Sequence, residues 1–307
     1  MGGKSFGAAM LICATVIWGT SLVAQSIGMQ HMGPFTFNAI RFLIGGISVF
    51  LFIRFLTPIR KKSGSTIVNS TLIQHSGRLL YGGVACGVTL FATASFQQIG
   101  ICYTTVGKAG FITALYIVIV PMLGILLGKK VSLSVILCVA MAMAGMYLLC
   151  INERFTLSKG DIYVFLCAVT TAVHILLIGY FSPITDGVKL SCLQFFVCGT
   201  LSSVCAFIVE FIDLSTLIGG WVPILYTGVL SCAIAYTFQT LGQREIGPVV
   251  TSIIFSLEAV FAALSGWFVL GEGLSTKEIC GCILIFVAII MAQLPRLWLK
   301  TFRRKTQ

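Results

Sequence analysis

"IIFSLEAVFAALSGWFVLGEGLS" (residues 253–275) opens with an apolar run long enough to cross a bilayer, and Glu258 is the one carboxylate within that run, before Glu272 at its end. About 20 such residues span roughly 30 Å of hydrocarbon as a helix. A second run, "FITALYIVIVPMLGILLGKKVS" (111–132), has the same plan: a long apolar stretch, then Leu-Gly, two residues, an aliphatic residue and Ser. Further matches flank the pair. "SFQQIG" (95–100) pairs with "TFQTLG" (237–242), and "LICATV" (11–16) with "FLCAVT" (165–170). The chain is therefore read as a duplication joined at the polar "NERFTLSKGD" (152–161), with halves 1–151 and 152–307.

Composition fixes the class. Of 307 residues, 58% are hydrophobic and 9% charged, and mean hydropathy is +1.04. That is too little charge to cover a soluble surface, so an integral membrane protein is expected. Ten apolar runs are predicted as spans: 6–28, 35–56, 79–99, 106–127, 131–150, 161–181, 190–211, 221–241, 247–270 and 277–295. Runs such as "LYIVIVPMLGILL" (115–127) do not alternate apolar and polar, which excludes a transmembrane barrel. The expected fold is all-α, with ten transmembrane helices. Five spans per half is an odd number, so the halves insert in opposite senses. Inverted repeats are the architecture of carriers that open to either side around one midplane site.

Net charge is +11, yet its placement points to topology, not nucleic acid. With the N-terminus cytoplasmic, only Lys108, Arg154, Lys159 and Lys277 fall outside, Arg41 lies in a span, and the remaining Lys and Arg fall inside. This bias places both termini in the cytoplasm of an inner (plasma) membrane protein. The tail "RLWLKTFRRK" (296–305) reads as an anchor to anionic headgroups. The opening "MGGKSFGAAMLICATVIWG" continues without a cleavage site and reads as the first span, not a signal peptide. Gly2 lacks the Ser or Thr at position 6 that myristoylation requires. Nearly all twelve cysteines fall in spans without zinc spacing, Cys280 and Cys282 on different helix faces, and read as packing residues. No metal or cofactor is expected.

The stretch "TPIRKKSGSTIVNSTLIQHSG" (57–77) reads as a flexible cytoplasmic loop, so its Asn69-Ser70-Thr71 sequon is accidental. Small-xxx-small spacings at Gly83/Gly87, Gly110/Ala114, Gly124/Gly128, Ala140/Ala144 and Ala262/Gly266 are expected at helix contacts.

Several motifs carry a family resemblance: "VIWGTS" (16–21), "FNAIRFLIGGI" (37–47), "AGFITALYIVIVPMLG" (109–124) and "SLEAVFAALSGWFVLGEGLS" (256–275). In this combination and order, across nearly the whole chain, the sequence resembles the drug/metabolite transporter superfamily, in its EamA-type members of ten spans. The resemblance implies a small-molecule carrier, commonly an exporter of metabolites or amino acids. Ala259 stands where the family's ninth span often has proline.

Polar residues inside spans are the candidates for the substrate pathway. A charge at bilayer centre costs about 2.5–3.5 kcal/mol, so Glu258 is expected to face the bundle interior or a wet cavity. Thr251, Phe255, Ala262 and Ser265 share its stripe, with Ile253, Val260, Phe261, Leu264 and Trp267 opposite. Three roles stay open: a clasp on a neighbouring helix, a contact to a substrate amine, or a proton carrier. The resemblance implies that this acid recurs among carriers of different substrates. Arg41 is expected to snorkel to the outer interface, with contact to a substrate carboxylate or an acid as the sharper reading. His174 is either a hydrogen-bonded helix contact or a proton relay. Gln97, Gln194 and Gln239, with Trp18, Tyr103, Tyr116 and Tyr236, supply the amides and aromatic rings of a cavity for a small zwitterion. Each could equally join helices, as could Gln98, Gln25 and Asn38.

With one interior cation, the chain lacks the several Lys or Arg expected for phosphate-bearing substrates. A first span without an acid differs from that of four-span multidrug exporters. An amino acid or similar neutral metabolite is the preferred substrate. No G-x-x-x-x-G-K-[ST], H-E-x-x-H or G-x-S-x-G motif occurs, which argues against an ATP-driven pump in cis and against a membrane enzyme. A channel or lipid translocator is the alternative reading. The expected partners are the bilayer and the substrate, with protons and a second copy of the chain as further options, and no nucleic acid.

Overall fold

A computed structural model describes residues 2–61, 72–104, 106–128, 131–150, 158–211, 218–270 and 275–293. The described residues are helical with short connections and contain no strand. In chain order the helices are α1 (Gly2–Gly28), α2 (Pro34–Lys61), α3 (Leu72–Ile101), α4 (Val106–Thr113), α5 (Tyr116–Leu126), α6 (Leu133–Cys150), α7 (Lys159–Phe181) and α8 (Gly187–Val209). Then come α9 (Trp221–Tyr226), a π-helical stretch (Thr227–Tyr236), α10 (Thr237–Glu245), α11 (Pro248–Phe255), α12 (Leu257–Leu270) and α13 (Thr276–Gln293). Seven stretches of 18–26 residues are long and apolar enough to cross a membrane. The helices at 133–148 and 248–262 are shorter and also apolar.

Local chemistry sets the helix ends. Pro34 and Pro248 open α2 and α11, where a missing N–H costs nothing. Ser158 and Asp161 form a reciprocal capping box on α7, and Asp186 caps α8 by accepting from the Val188 and Lys189 amides. The α2 end is capped from another helix. Glu210 accepts from the Phe35 and Thr36 amides at 2.7 and 2.8 Å and from the Thr36 hydroxyl at 2.6 Å.

The exterior is apolar and much of the interior polar, the reverse of a soluble domain. Phe50, Phe52, Phe55, Phe207, Ile208 and Val209 are exposed, whereas Asn38, Arg41, Gln98, Gln194 and Gln239 are buried. This suits a bundle whose outer surface meets lipid.

The helices pack in pairs. α2 lies on α8, α6 on α13, α3 on α7 and α8, and α4 and α5 on α7. In turn, the stretch 221–245 lies on α1 and α2, and α11 and α12 lie on α1. Under the division expected from the sequence, exchanging each element before residue 152 with its expected counterpart after it maps this set of contacts onto itself. The side chains repeat the pattern. Starting α2 at Pro34 and α8 at Gly187 aligns Arg41 with Gln194, Phe42 with Phe195, Leu43 with Phe196 and Gly46 with Gly199. Gly46 packs on Phe196, and Gly199 on Leu43. The Phe42 and Phe195 rings meet across the seam, centroids 6.2 Å apart. Because Thr36 meets Glu210 while Leu43 meets Gly199, α2 and α8 run antiparallel.

Two glycine pairs let backbones touch, one at each end of the bundle. A Cβ on Gly242 would lie 2.9 Å from the Gly7 carbonyl oxygen, and one on Gly160 would lie 2.8 Å from that of Gly100. At Gly160 the obstructing atoms are all backbone and cannot rotate away; at Gly242 the Leu11 side chain, at 2.8 Å, obstructs together with that carbonyl. Gly242→Val and Gly160→Val are each expected to cost about 1–3 kcal/mol, read as a lowered melting temperature in detergent. Gly110→Ala, where a Cβ meets nothing within 4 Å, is expected to be neutral.

Several sequence expectations change. Of the small-residue spacings, Gly83 and Gly87 do pack, against Leu193 and Val197, but a Cβ built on Gly110 or Gly124 meets nothing within 4 Å among the described residues. Ala140 and Ala144 are exposed, because α6 packs through Cys138, Ala142 and Met146 instead. The expected loop 57–77 is shorter, since α2 runs on to Lys61 and α3 begins at Leu72. The sequon at 69–71 and the basic tail lie outside the described residues, as do the side chains of Ser265, Gly266 and Trp267.

Two expected spans are broken. The first interrupts at 114–115 between α4 and α5, the second at Ser256 between α11 and α12. In the matched sequences 111–132 and 253–275 these breaks fall at nearly the same register. The second occurs without the family's proline: the Ser256 hydroxyl donates to the Ile253 carbonyl at 2.6 Å, and its amide bonds the same oxygen at 3.1 Å. A hydroxyl that takes a backbone carbonyl competes with the helix ladder.

Candidate substrate-binding cavity

The two breaks, α1, α2, α3, α7 and the π stretch enclose a cavity of about 590 Å³, counting its opening. Eight residues singled out from the sequence line it: Trp18, Arg41, Gln97, Tyr116, His174, Tyr236, Gln239 and Glu258. Glu258 sits in the first turn of α12 and Tyr116 begins α5, so each broken span delivers a polar side chain just past its break. Gln97 and Gln239, equivalent in the matched "SFQQIG" and "TFQTLG", both reach the cavity.

Two candidates stand apart. Tyr103 lies at the end of α3, 63% exposed. Gln194 is fully buried behind the wall, where its Oε1 lies 3.0 Å from His174 Nε2. Its register equivalence to Arg41 does not carry it into the space; it orients the histidine ring instead.

Arg41 corrects a further expectation. It is 2% exposed and does not snorkel to an interface. Its guanidinium lies over the Phe42 and Phe37 rings, 4.8 and 5.3 Å from their centroids. These ring faces attract a cation but offer no hydrogen-bond acceptor. Among the described residues no carboxylate pairs with Arg41, and its Nε has no hydrogen-bond partner. The same space holds other unsatisfied groups, the Thr93 hydroxyl and Gln239 Oε1. Glu258 likewise makes no hydrogen bond or ion pair with the described residues, and it borders the same cavity. A buried cation and a partly buried acid, neither paired with a charged group among the described residues, face one space.

Aromatic packing fixes the walls. Tyr236 contacts Trp18, Phe195, Phe42 and His174 with ring centroids 4.8 to 6.3 Å apart. Trp18 also meets Phe255 edge-on at 5.0 Å and donates its indole N–H to the Ser231 carbonyl at 3.3 Å. A buried indole needs such an acceptor. Sequence reasoning missed Ser21, Thr93, Thr113, Thr171 and Ser231 as lining residues, and treated Gln25 only as a helix contact. Helical spacing was the available signal. Trp18, Ser21 and Gln25 form one stripe of α1, and Thr93 and Gln97 one stripe of α3. Ser231 gave no such signal: it shares a face with Tyr236, five residues on, only because the intervening helix is π-wound.

A membrane-embedded helical bundle with polar groups converging on an interior cavity is the structure of a membrane transporter, and the comparisons agree. The sequence model of the EamA-like transporter family matches residues 5–151 and 158–293, and the chain belongs to that family. It is 29% identical to an uncharacterized transporter of Archaeoglobus fulgidus, covering 92% of this chain and 84% of that one. It is 25% identical to an uncharacterized transporter of Methanothermobacter thermautotrophicus, over 94% and 86% of the two chains. A crystal structure of a protein with 18% identity superposes with a TM-score of 0.74, covering 95% of this chain and 97% of the other, and shares the fold.

Proposed function

We propose that this protein is a secondary-active exporter of a small zwitterionic metabolite of the amino-acid class, working by alternating access. The observation that carries the reading is the pair of unneutralised charges, Arg41 and Glu258, lining one interior cavity. A substrate carboxylate would complete the guanidinium and a substrate ammonium the glutamate. Each partner then gains the charge-assisted hydrogen bond it lacks in the empty protein. The outward direction rests on the family resemblance.

The architectural part of the reading is that ten spans form two oppositely inserted halves, 1–151 and 152–307, with both termini in the cytoplasm of the inner membrane. It draws support from the two family matches, from the contact set that survives exchange of the halves, and from the antiparallel course of the equivalent helices α2 and α8. Broken spans at a midplane site recur in such carriers because half-helix ends and freed backbone groups can meet a solute there. The remaining polar groups, the Gln97 and Gln239 amides and the Trp18 and Tyr236 rings, would orient the solute.

The test is counterflow in proteoliposomes with a panel of labelled amino acids, with and without a pH gradient. Saturable counterflow of at least one zwitterion is the expected result, and a response to the gradient would identify protons as the coupling ion. Flux linear in concentration would instead favour a channel. No flux above protein-free vesicles for any amino acid would remove the assignment.

A further inference from the structure

We propose that the substrate carries an apolar side chain of aliphatic size, received by a second compartment of the cavity that Gly110 keeps open. The inference rests on the amino-acid reading above and deepens it. Next to the space beside Glu258 lies a second volume of about 550 Å³, counting its opening, which shares Glu258, Gln97, Thr113, Tyr116 and Phe255 with the first. Apart from Ser256, whose hydroxyl is taken by the Ile253 carbonyl, the rest of its described lining is apolar, with Leu22, Ile101, Ala114, Met146 and Ala259 among it, and Glu258 is its only charged residue among those described. Arg41 lines the first compartment alone.

This division matches the geometry of an α-amino acid, whose three substituents leave one carbon. With the carboxylate at Arg41 and the ammonium at Glu258, on the boundary, the side chain projects into the apolar compartment. A polar or charged side chain would lose its water there and could meet polar groups only on the boundary shared with the first compartment and at Ser256. Gly110 and the alanines 114 and 259 line this volume with little bulk, and a Cβ built on Gly110 meets nothing within 4 Å. The vacancy is therefore free space and not a helix contact. Each methylene withdrawn from water is worth about fourfold in affinity, so leucine or methionine should exceed alanine by about 50-fold.

The experiment compares counterflow of glycine, alanine, serine, leucine, methionine, phenylalanine and glutamate in proteoliposomes of the wild type, Gly110→Leu and Met146→Ala. The wild type should prefer leucine and methionine. Gly110→Leu, which fills the compartment, should lower their transport at least about 10-fold and leave alanine within about twofold, which also shows that the variant folds. Met146→Ala should enlarge the space and raise transport of phenylalanine relative to leucine. If Gly110→Leu fails to fold, Met146→Ala decides alone. Equal loss of every substrate in Gly110→Leu would make the second compartment a passage and overturn the proposal. So would a wild type that ranks serine and leucine alike. If the wild type moves none of the seven while other solutes pass, the amino-acid reading falls and takes this one with it.

Discussion

Glu258→Gln is expected to weaken counterflow of a zwitterionic amino acid about 30-fold, the equivalent of about 2 kcal/mol lost from a charge-assisted bond. The melting temperature should stay within about 2 °C of the wild type. Both parts follow from one observation: the carboxylate borders the cavity and has no hydrogen-bond or ion partner among the described residues. The fold does not lean on its charge, and glutamine keeps its shape. The measurement separates the three roles open for this residue. A clasp between helices would lower the melting temperature. A substrate contact would raise KM for zwitterions and spare solutes without an amine. A proton carrier would leave exchange intact and abolish the response to a pH gradient.

Arg41→Met should act with opposite signs on stability and transport. The guanidinium rests on two phenylalanine rings and is paired with no acid among the described residues, so the fold bears its desolvation without a salt bridge in return. Methionine fills similar volume and suits the same rings. The melting temperature should hold or rise. Counterflow of an amino acid should fall about 30-fold or more, whereas the corresponding amino-acid amide, which has no carboxylate, should be indifferent to the change. Arg41→Lys should recover part of the loss, since an ammonium keeps the charge but not the planar fork. An equal loss for acid and amide would assign Arg41 to the scaffold.

The family and the helical class were legible in the sequence because hydropathy in lipid is a strong constraint: backbone polar groups must be satisfied within the span. The candidate cavity was legible in part. Glu258, Gln239 and Trp18 stood out as polar or amphipathic groups in apolar runs, and an interior location follows from the cost of placing them in hydrocarbon. Arg41 was misjudged because a long side chain two turns from a helix end can reach an interface, and only the fold shows phenylalanine rings around it. Tyr103 misled because an amphipathic ring at a span end is equally at home in the headgroups. The breaks at 114–115 and Ser256 left little trace in composition, as neither needs a glycine or proline. The face shared by Ser231 and Tyr236 was hidden by the π winding, which alters the periodicity on which sequence reading depends.

The reciprocal packing of α2 on α8 leaves one mismatch with a directional outcome. In the sequence alignment Arg41 corresponds to Gln194 and, in the matched segments, Glu258 to Leu115, so the matched segments differ in their charges. If the two matched parts swap shapes to face the opposite side, the positive pole stays two turns from the Pro34 end of α2, and the negative pole stays beside the break at Ser256. A dipolar passenger would then keep one heading from entry to exit and cross without turning over.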